Sequence, residues 1–137
     1  MRALLVRVGA DVTETGGGWN GPVSPKAREF VYVPILEKCR QHRRMRRPFT
    51  LLIPALTRFA LELPLHLRRG VMHLDPDFAE LTYGDSGERA KQIRQKLKPG
   101  DLIVFYAGLR AMPRQRRLVY ALIGIYVIAS IRAAHEI

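Results

Sequence analysis

Asp85-Ser86-Gly87-Glu88-Arg89-Ala90-Lys91-Gln92-Ile93-Arg94-Gln95-Lys96-Leu97-Lys98-Pro99-Gly100-Asp101-Leu102-Ile103-Val104-Phe105-Tyr106 is the stretch that settles the fold class. Asp85 followed three residues later by Glu88 is a capping-box pattern, with Asp85 as N-cap. Ala90, Ile93 and Leu97 then share one face of a helix, while Arg89, Lys91, Arg94 and Lys96 point outward. Pro99-Gly100 stops the helix and turns the chain. Leu102 to Tyr106 follows as an apolar strand. A helix feeding a strand, among segments that otherwise read as short strands, predicts an α+β domain.

Outward from this stretch the same logic continues. A basic linker, Arg110 to Arg117, leads to the longest apolar run, Leu118 to Ile131. Rich in Val, Ile and Tyr and carrying Gly124 near its middle, that run predicts a buried strand with a bulge at the glycine. Toward the N-terminus, Ala3 to Val8 is apolar enough for a central strand, and Gly9 to Pro22 is a glycine-rich loop. Phe30 to Ile35 alternates as a second strand. Pro54 and Pro64 break the apolar segment Pro48 to Leu67, so one long helix is excluded there. Asp75 precedes Pro76, which biases His73 to Phe78 toward an extended or turn conformation. The whole predicts one domain over residues 1–137, with a small mixed, curved or barrel-like β-sheet and few helices.

Composition bounds the function. Nearly half the residues, 47%, are hydrophobic and 26% are charged, which is a globular balance. Cys39 is the only cysteine, so an internal disulfide and a cysteine-rich zinc site are both excluded. That suits a reducing, cytoplasmic location. The N-terminus lacks the apolar core and cleavage site of a signal peptide. The Leu118–Ile131 run is about 14 residues, short of the ~20 that span a bilayer as a helix, so no membrane is expected. Twenty-three Lys and Arg against twelve Asp and Glu give a net charge of +11. Such a field attracts polyanions, and nucleic acid is the expected partner.

Candidate site residues fall into three groups. Arg40, Arg43, Arg44 and Arg47 would fall on one side of a helix and track phosphates, and Arg110, Arg114, Arg116 and Arg117 make a second basic patch. Trp19, the sole tryptophan, lies among glycines after the first strand, and Tyr106 closes a strand beside glycine and arginine. These two are candidates to stack on an extruded base, with Asn20 and Asp11 reading its edge. The competing role of Trp19 is packing on the core, and that of Tyr106 is capping the sheet. Third, His73, Asp75 and Asp77 alternate along an extended segment, and His73 and Asp75 with Asp11 form an enzymatic alternative acting on a base or nucleotide. Asp-Pro-Asp is equally a turn sequence, with Phe78 as its anchor. No second cluster has metal-ligand spacing, so neither metal nor cofactor is expected. Gly-x-Ser-x-Gly is absent, and the glycine-rich loop fits neither a dinucleotide fingerprint nor a P-loop.

Several segments, in order, resemble a known family. They are Leu5-Val6-Arg7-Val8-Gly9-Ala10-Asp11 with Gly16-Gly17-Gly18-Trp19-Asn20-Gly21-Pro22, then Glu29 to Ile35, His73 to Phe78, Thr82-Tyr83-Gly84-Asp85, and Lys98 to Arg110. Together they resemble the third type of nucleotide modification-associated domain; Lys38 to Arg69 matches poorly. The resemblance implies a setting in DNA base modification or defence, with DNA rather than RNA and DNA-modification enzymes as partners. It also implies a domain that continues past this end, so a missing C-terminal portion is expected. More distantly, Pro99-Gly100-Asp101 before one apolar strand, followed by a second, is similar to PUA-like domains (EVE, ASCH and YTH among them), several of which hold a modified base in an aromatic cup.

Overall fold

In the computed structural model of the protein, residues 1–10, 19–39, 45–113 and 117–134 are described. Three of the four strand pairings among the described residues are made to one strand, β4 (Leu102–Ala111). β1 (Ala3–Arg7) runs parallel to its first half, from Ala3 opposite Leu102 to Arg7 opposite Tyr106. β2 (Pro22–Ser24) runs parallel to its end, with Pro22 opposite Arg110, and β3 (Glu29–Phe30) pairs antiparallel with β2. β5 (Leu118–Val127) also pairs with β4. The Ala111 N–H bonds the Arg117 carbonyl at 2.9 Å and the Ile128 N–H bonds the Asp101 carbonyl at 2.9 Å, so β4 and β5 form a hairpin.

The result is an α+β fold on a mixed five-stranded sheet, β1-β4-β2-β3 in order with β5 also paired to β4, and the sheet is open rather than barrel-like. Closure needs the end strands to pair, and β3 is only two residues long. The alternating run after it does not extend that strand. The Val31 N–H adds one bond to the Pro22 carbonyl at 3.0 Å, Val31 and Val33 are buried, and Pro34 has no N–H to carry the pairing on. β1 stands at an end of the sheet, not at its centre, and Leu5 is 60% exposed.

β4 runs five residues past Tyr106. Ile103, Phe105, Ala107 and Leu109 are all buried on one face, because strand side chains alternate. β5 is not the buried strand its composition predicts. Tyr120 and Leu122 are exposed, then Ile125 and Val127, so the outward positions slip by one residue around Ile123-Gly124. An extra residue in one strand produces this slip, as expected for a bulge at the glycine. A Cβ on Gly124 would lie 2.3 Å from Phe78 Cε1, so the bare backbone is what lets the Phe78 ring approach.

Two α-helices occur among the described residues. α1 (Ile53–Thr57) starts with Pro54 in its first turn, where a missing N–H costs nothing. α2 (Gly87–Lys96) follows the amphipathic reading: Ala90, Ile93 and Leu97 are partly covered and the charged residues exposed. Its N-cap, however, is Ser86, with no side-chain capping bond. Asp85 is instead held one residue earlier, accepting from the Ser86 N–H at 2.7 Å and from the Tyr83 hydroxyl, with Arg89 Nη1 at 3.5 Å. No helix among the described residues is long and apolar enough to cross a membrane.

The chain divides into two compact units. One comprises Met1–Val8, Asp75–Tyr106 and Leu122–Ile137; the other comprises Gly9–Leu74 and Ala107–Ala121. In the first, Phe105 is fully buried and makes edge-to-face contacts with Phe78, Tyr83 and Tyr126 at centroid distances of 5.8, 5.2 and 4.9 Å. In the second, Val31, Val33, Phe49, Leu56, Leu63, Leu67 and Met72 form the core.

Candidate functional site

The second unit carries most of the residues singled out above. Asn20 is 4% exposed, and its amide nitrogen donates to the Ala10 carbonyl at 2.9 Å and to the Gly108 carbonyl at 2.9 Å. Both amide hydrogens are therefore spent on backbone, and Asn20 ties the end of the glycine-rich loop to β4 instead of presenting donors to a ligand. Trp19, next to it, packs against the second unit's core while remaining partly exposed. Arg110 lies inside β4, its N–H bonded to the Gly21 carbonyl at 2.8 Å, and Arg117 is exposed at the start of the return strand. Tyr106, in the first unit, is interior to β4 rather than at its end, and it faces away from the buried Phe105 side.

The basic run has a defined base. Leu36 bridges Met72, and the His73 N–H bonds the Ile35 carbonyl at 2.9 Å while the Glu37 N–H bonds the Val71 carbonyl at 3.0 Å. On the other flank Pro48 bridges Val71, and the Met72 N–H bonds the Arg47 carbonyl at 2.8 Å. The arginine-bearing segment thus leaves from one side of Val71–His73 and returns on the other. Met72 turns into the core, so Val71 and His73 take the opposite face.

On that face the structure makes a pairing that the sequence did not. Glu37 Oε2 lies 2.9 Å from His73 Nδ1, and its Oε1 accepts the Cys39 N–H at 2.9 Å. The Glu37 side chain is only 9% exposed and that of His73 34%. The Cys39 N–H, helped by His73, holds the Glu37 carboxyl below its ordinary range despite its burial. A carboxylate on Nδ1 fixes the imidazole's orientation and directs its acid–base chemistry to Nε2. A lone glutamate between an apolar strand and a basic run gave no sequence signal; the contact spans 36 positions.

The alternating His73, Asp75 and Asp77 have separate partners. Asp75 Oδ1 accepts the Gly84 N–H at 3.0 Å, and Asp77 Oδ1 accepts the Ala79 N–H at 3.0 Å and the Glu80 N–H at 3.2 Å. Both carboxylates thus order the turn that carries Phe78, which is the structural alternative weighed above. Tyr126 donates to the Asp77 carbonyl at 2.7 Å. Burial, then Asp85, raises the Tyr83 hydroxyl to about 12, and burial, then Asp77, raises Tyr126 to about 12. Among the described residues no three His, Cys, Asp or Glu side chains gather as a metal site. Asp11, Arg40, Arg43, Arg44, Arg114 and Arg116 lie outside the described residues.

No curated protein and no solved structure matches the chain. A family model does, over residues 2–136, which covers nearly the whole length and includes the Lys38–Arg69 stretch that resembles the family least. The chain accordingly belongs to the family described as nucleotide modification associated domain 3.

Proposed function

We propose that the domain binds nucleic acid, DNA in preference to RNA, and recognises a modified or extruded base alongside DNA-modification enzymes in the cytoplasm. The observation that carries this is the net charge of +11 in a chain whose family is tied to nucleotide modification. Arg47, Arg110 and Arg117, with Arg40, Arg43, Arg44, Arg114 and Arg116, supply phosphate contacts. Trp19 and Tyr106 offer aromatic faces for stacking, and Asp11 is the group for the base edge. Asn20, next to Trp19, is anchored by its side-chain bonds to the Ala10 and Gly108 carbonyls. The likeness to PUA-like domains belongs to the same reading, and rests on Pro99-Gly100-Asp101 leading into β4 and its return strand.

The test is Trp19→Ala. A stacked base is worth roughly 1–3 kcal/mol, so affinity for the matching oligonucleotide should fall about ten- to a hundredfold while the protein stays folded. Trp19 fluorescence in the wild type should change on binding. A folded Trp19→Ala protein with undiminished affinity across a panel of modified oligonucleotides rules the stacking role out.

A second reading is favoured by one observation, the Glu37–His73 pair. It makes the domain an enzyme acting on a base or nucleotide, with His73 Nε2 as general base and Glu37 as its orienting carboxylate, while Asp75 keeps its turn-ordering bond from the Gly84 N–H. Glu37→Gln should then lower turnover and change its pH profile while leaving oligonucleotide affinity intact. No turnover of any nucleotide or oligonucleotide by the wild type would remove this reading.

A further inference from the structure

Leu97, at the C-terminal end of α2, separates two open clefts in the first unit. One, of about 420 Å³, is lined by Arg2, Gln92 and Lys96 among others. The second, of about 470 Å³, is lined by Arg94, Lys98, Ser130 and Arg132 among others. Among the described residues, every charged side chain in the two linings is a cation, and all five are exposed. The negative end of the helix dipole accounts for Arg94 and Lys96 in the last turn. It does not account for Arg2, Lys98 and Arg132, which reach the clefts from other segments.

The nearby carboxylate is withdrawn from this surface. Asp101 is 2% exposed; its Oδ1 accepts the Arg2 N–H at 2.8 Å and its Oδ2 accepts the Lys98 N–H at 3.0 Å. One oxygen thus grips the first cleft's wall and the other grips the second's. Arg2 Nη1 adds a bond to the Lys96 carbonyl at 3.1 Å. The acid that could neutralise the cations instead fixes the two clefts relative to each other. Like charges gathered on one surface, with no acid among the described lining residues, repel one another, and an anion lying across them relieves that repulsion. Because the charges are shared between two clefts with an apolar residue between them, an extended polyanion fits them better than a single anion.

We propose that these paired clefts are a nucleic-acid backbone site, in which Arg2 and Lys96 hold phosphates on one side of Leu97 and Arg94, Lys98 and Arg132 on the other. The assignment rests on the nucleic-acid reading above and adds a surface that none of its arginines occupies. The test uses the full chain and a labelled single-stranded oligonucleotide, with affinity measured across a salt series. Arg94→Glu, Lys98→Glu and Arg132→Glu are introduced together. Each phosphate contact on a single strand contributes roughly −0.7 to the slope of log affinity against log salt, so losing three should flatten the slope by about 2. Affinity at low salt should fall as well, with the melting temperature little changed because these side chains are exposed. A Gln-substituted triple variant gives the same reading if the reversed one does not fold. Wild-type binding with an unaltered slope and affinity in a folded variant overturns the cleft assignment and leaves the proposed function standing. A wild type that binds no oligonucleotide overturns the proposed function itself. A variant that keeps oligonucleotide binding but loses binding to phosphatidylserine vesicles overturns the assignment in favour of an acidic membrane.

Discussion

Asn20 is small, polar and nearly inaccessible, and its two bonds to the Ala10 and Gly108 carbonyls are what a buried amide needs. Asn20→Ala would leave both carbonyls without that donor, and the expected loss of stability is about 1–3 kcal/mol, read by denaturant unfolding. Asn20→Asp should be worse, because a carboxylate would face two acceptors. Tyr83 makes a different case. Its hydroxyl and that of Tyr126 are raised to about 12 by burial first, and for Tyr83 then by Asp85. A raised acidic group binds its proton more firmly in the native state. The stability it contributes is therefore complete below pH 10, the ordinary tyrosine value, and is lost as pH climbs through 12. An ultraviolet titration should show Tyr83 and Tyr126 ionising late. Tyr83→Phe should remove one of them and make alkaline unfolding less steep.

Among the elements, the turn into β2 is the least forgiving. A Cβ on Gly21 would stand 2.0 Å from the Val31 carbonyl oxygen, and backbone cannot swing aside as a side-chain tip can. Gly21→Ala should cost about 1–3 kcal/mol, typical of forced overpacking, with a matching drop in melting temperature. Gly124→Ala should cost less, since the opposing Phe78 ring is 36% exposed and can move outward. These elements also show how far the sequence could be read. The face of α2, the Pro99-Gly100 turn and the slip at Gly124 follow from local periodicity, and all three stand in the structure. What failed depended on distant partners. Asp85 is taken by Tyr83 and Arg89 before it can cap α2. Phe30 to Ile35 has a strand's pattern but only a two-residue partner ladder. β5 has a buried strand's composition, but only β4 is paired with it among the described strands. The Glu37–His73 pair and the clasp at Asp101 join residues 36 and 99 positions apart, which no local window contains.

For the molecule as a whole, charge governs both binding and stability. Oligonucleotide affinity should fall linearly on a log–log plot as salt rises, with a slope of roughly −0.7 per phosphate contact on single strands. Salt-independent binding would remove the electrostatic account. Among the described residues, acid acts through two depressed carboxylates. Glu37 is lowered by the Cys39 N–H and by His73, and Asp101 by the Arg2 and Lys98 N–H groups. Their stabilisation is complete above the ordinary values of 4.5 and 3.8 and disappears as pH falls through the lower native ones. Melting curves across that range should show Asp101→Asn flattening the acid limb. The slip along β5 has its own consequence for the protein in bulk solution. It turns Ile125 and Val127 outward beyond the already outward Leu122, each of the three more than half exposed. Such a row is adhesive between identical copies, and at low ionic strength the net charge of +11 opposes their approach. The protein should therefore be easiest to keep dispersed in dilute buffer. It should begin to scatter light as salt shortens the Debye length toward ~3 Å near 1 M, and Leu122→Lys with Val127→Lys should postpone that onset.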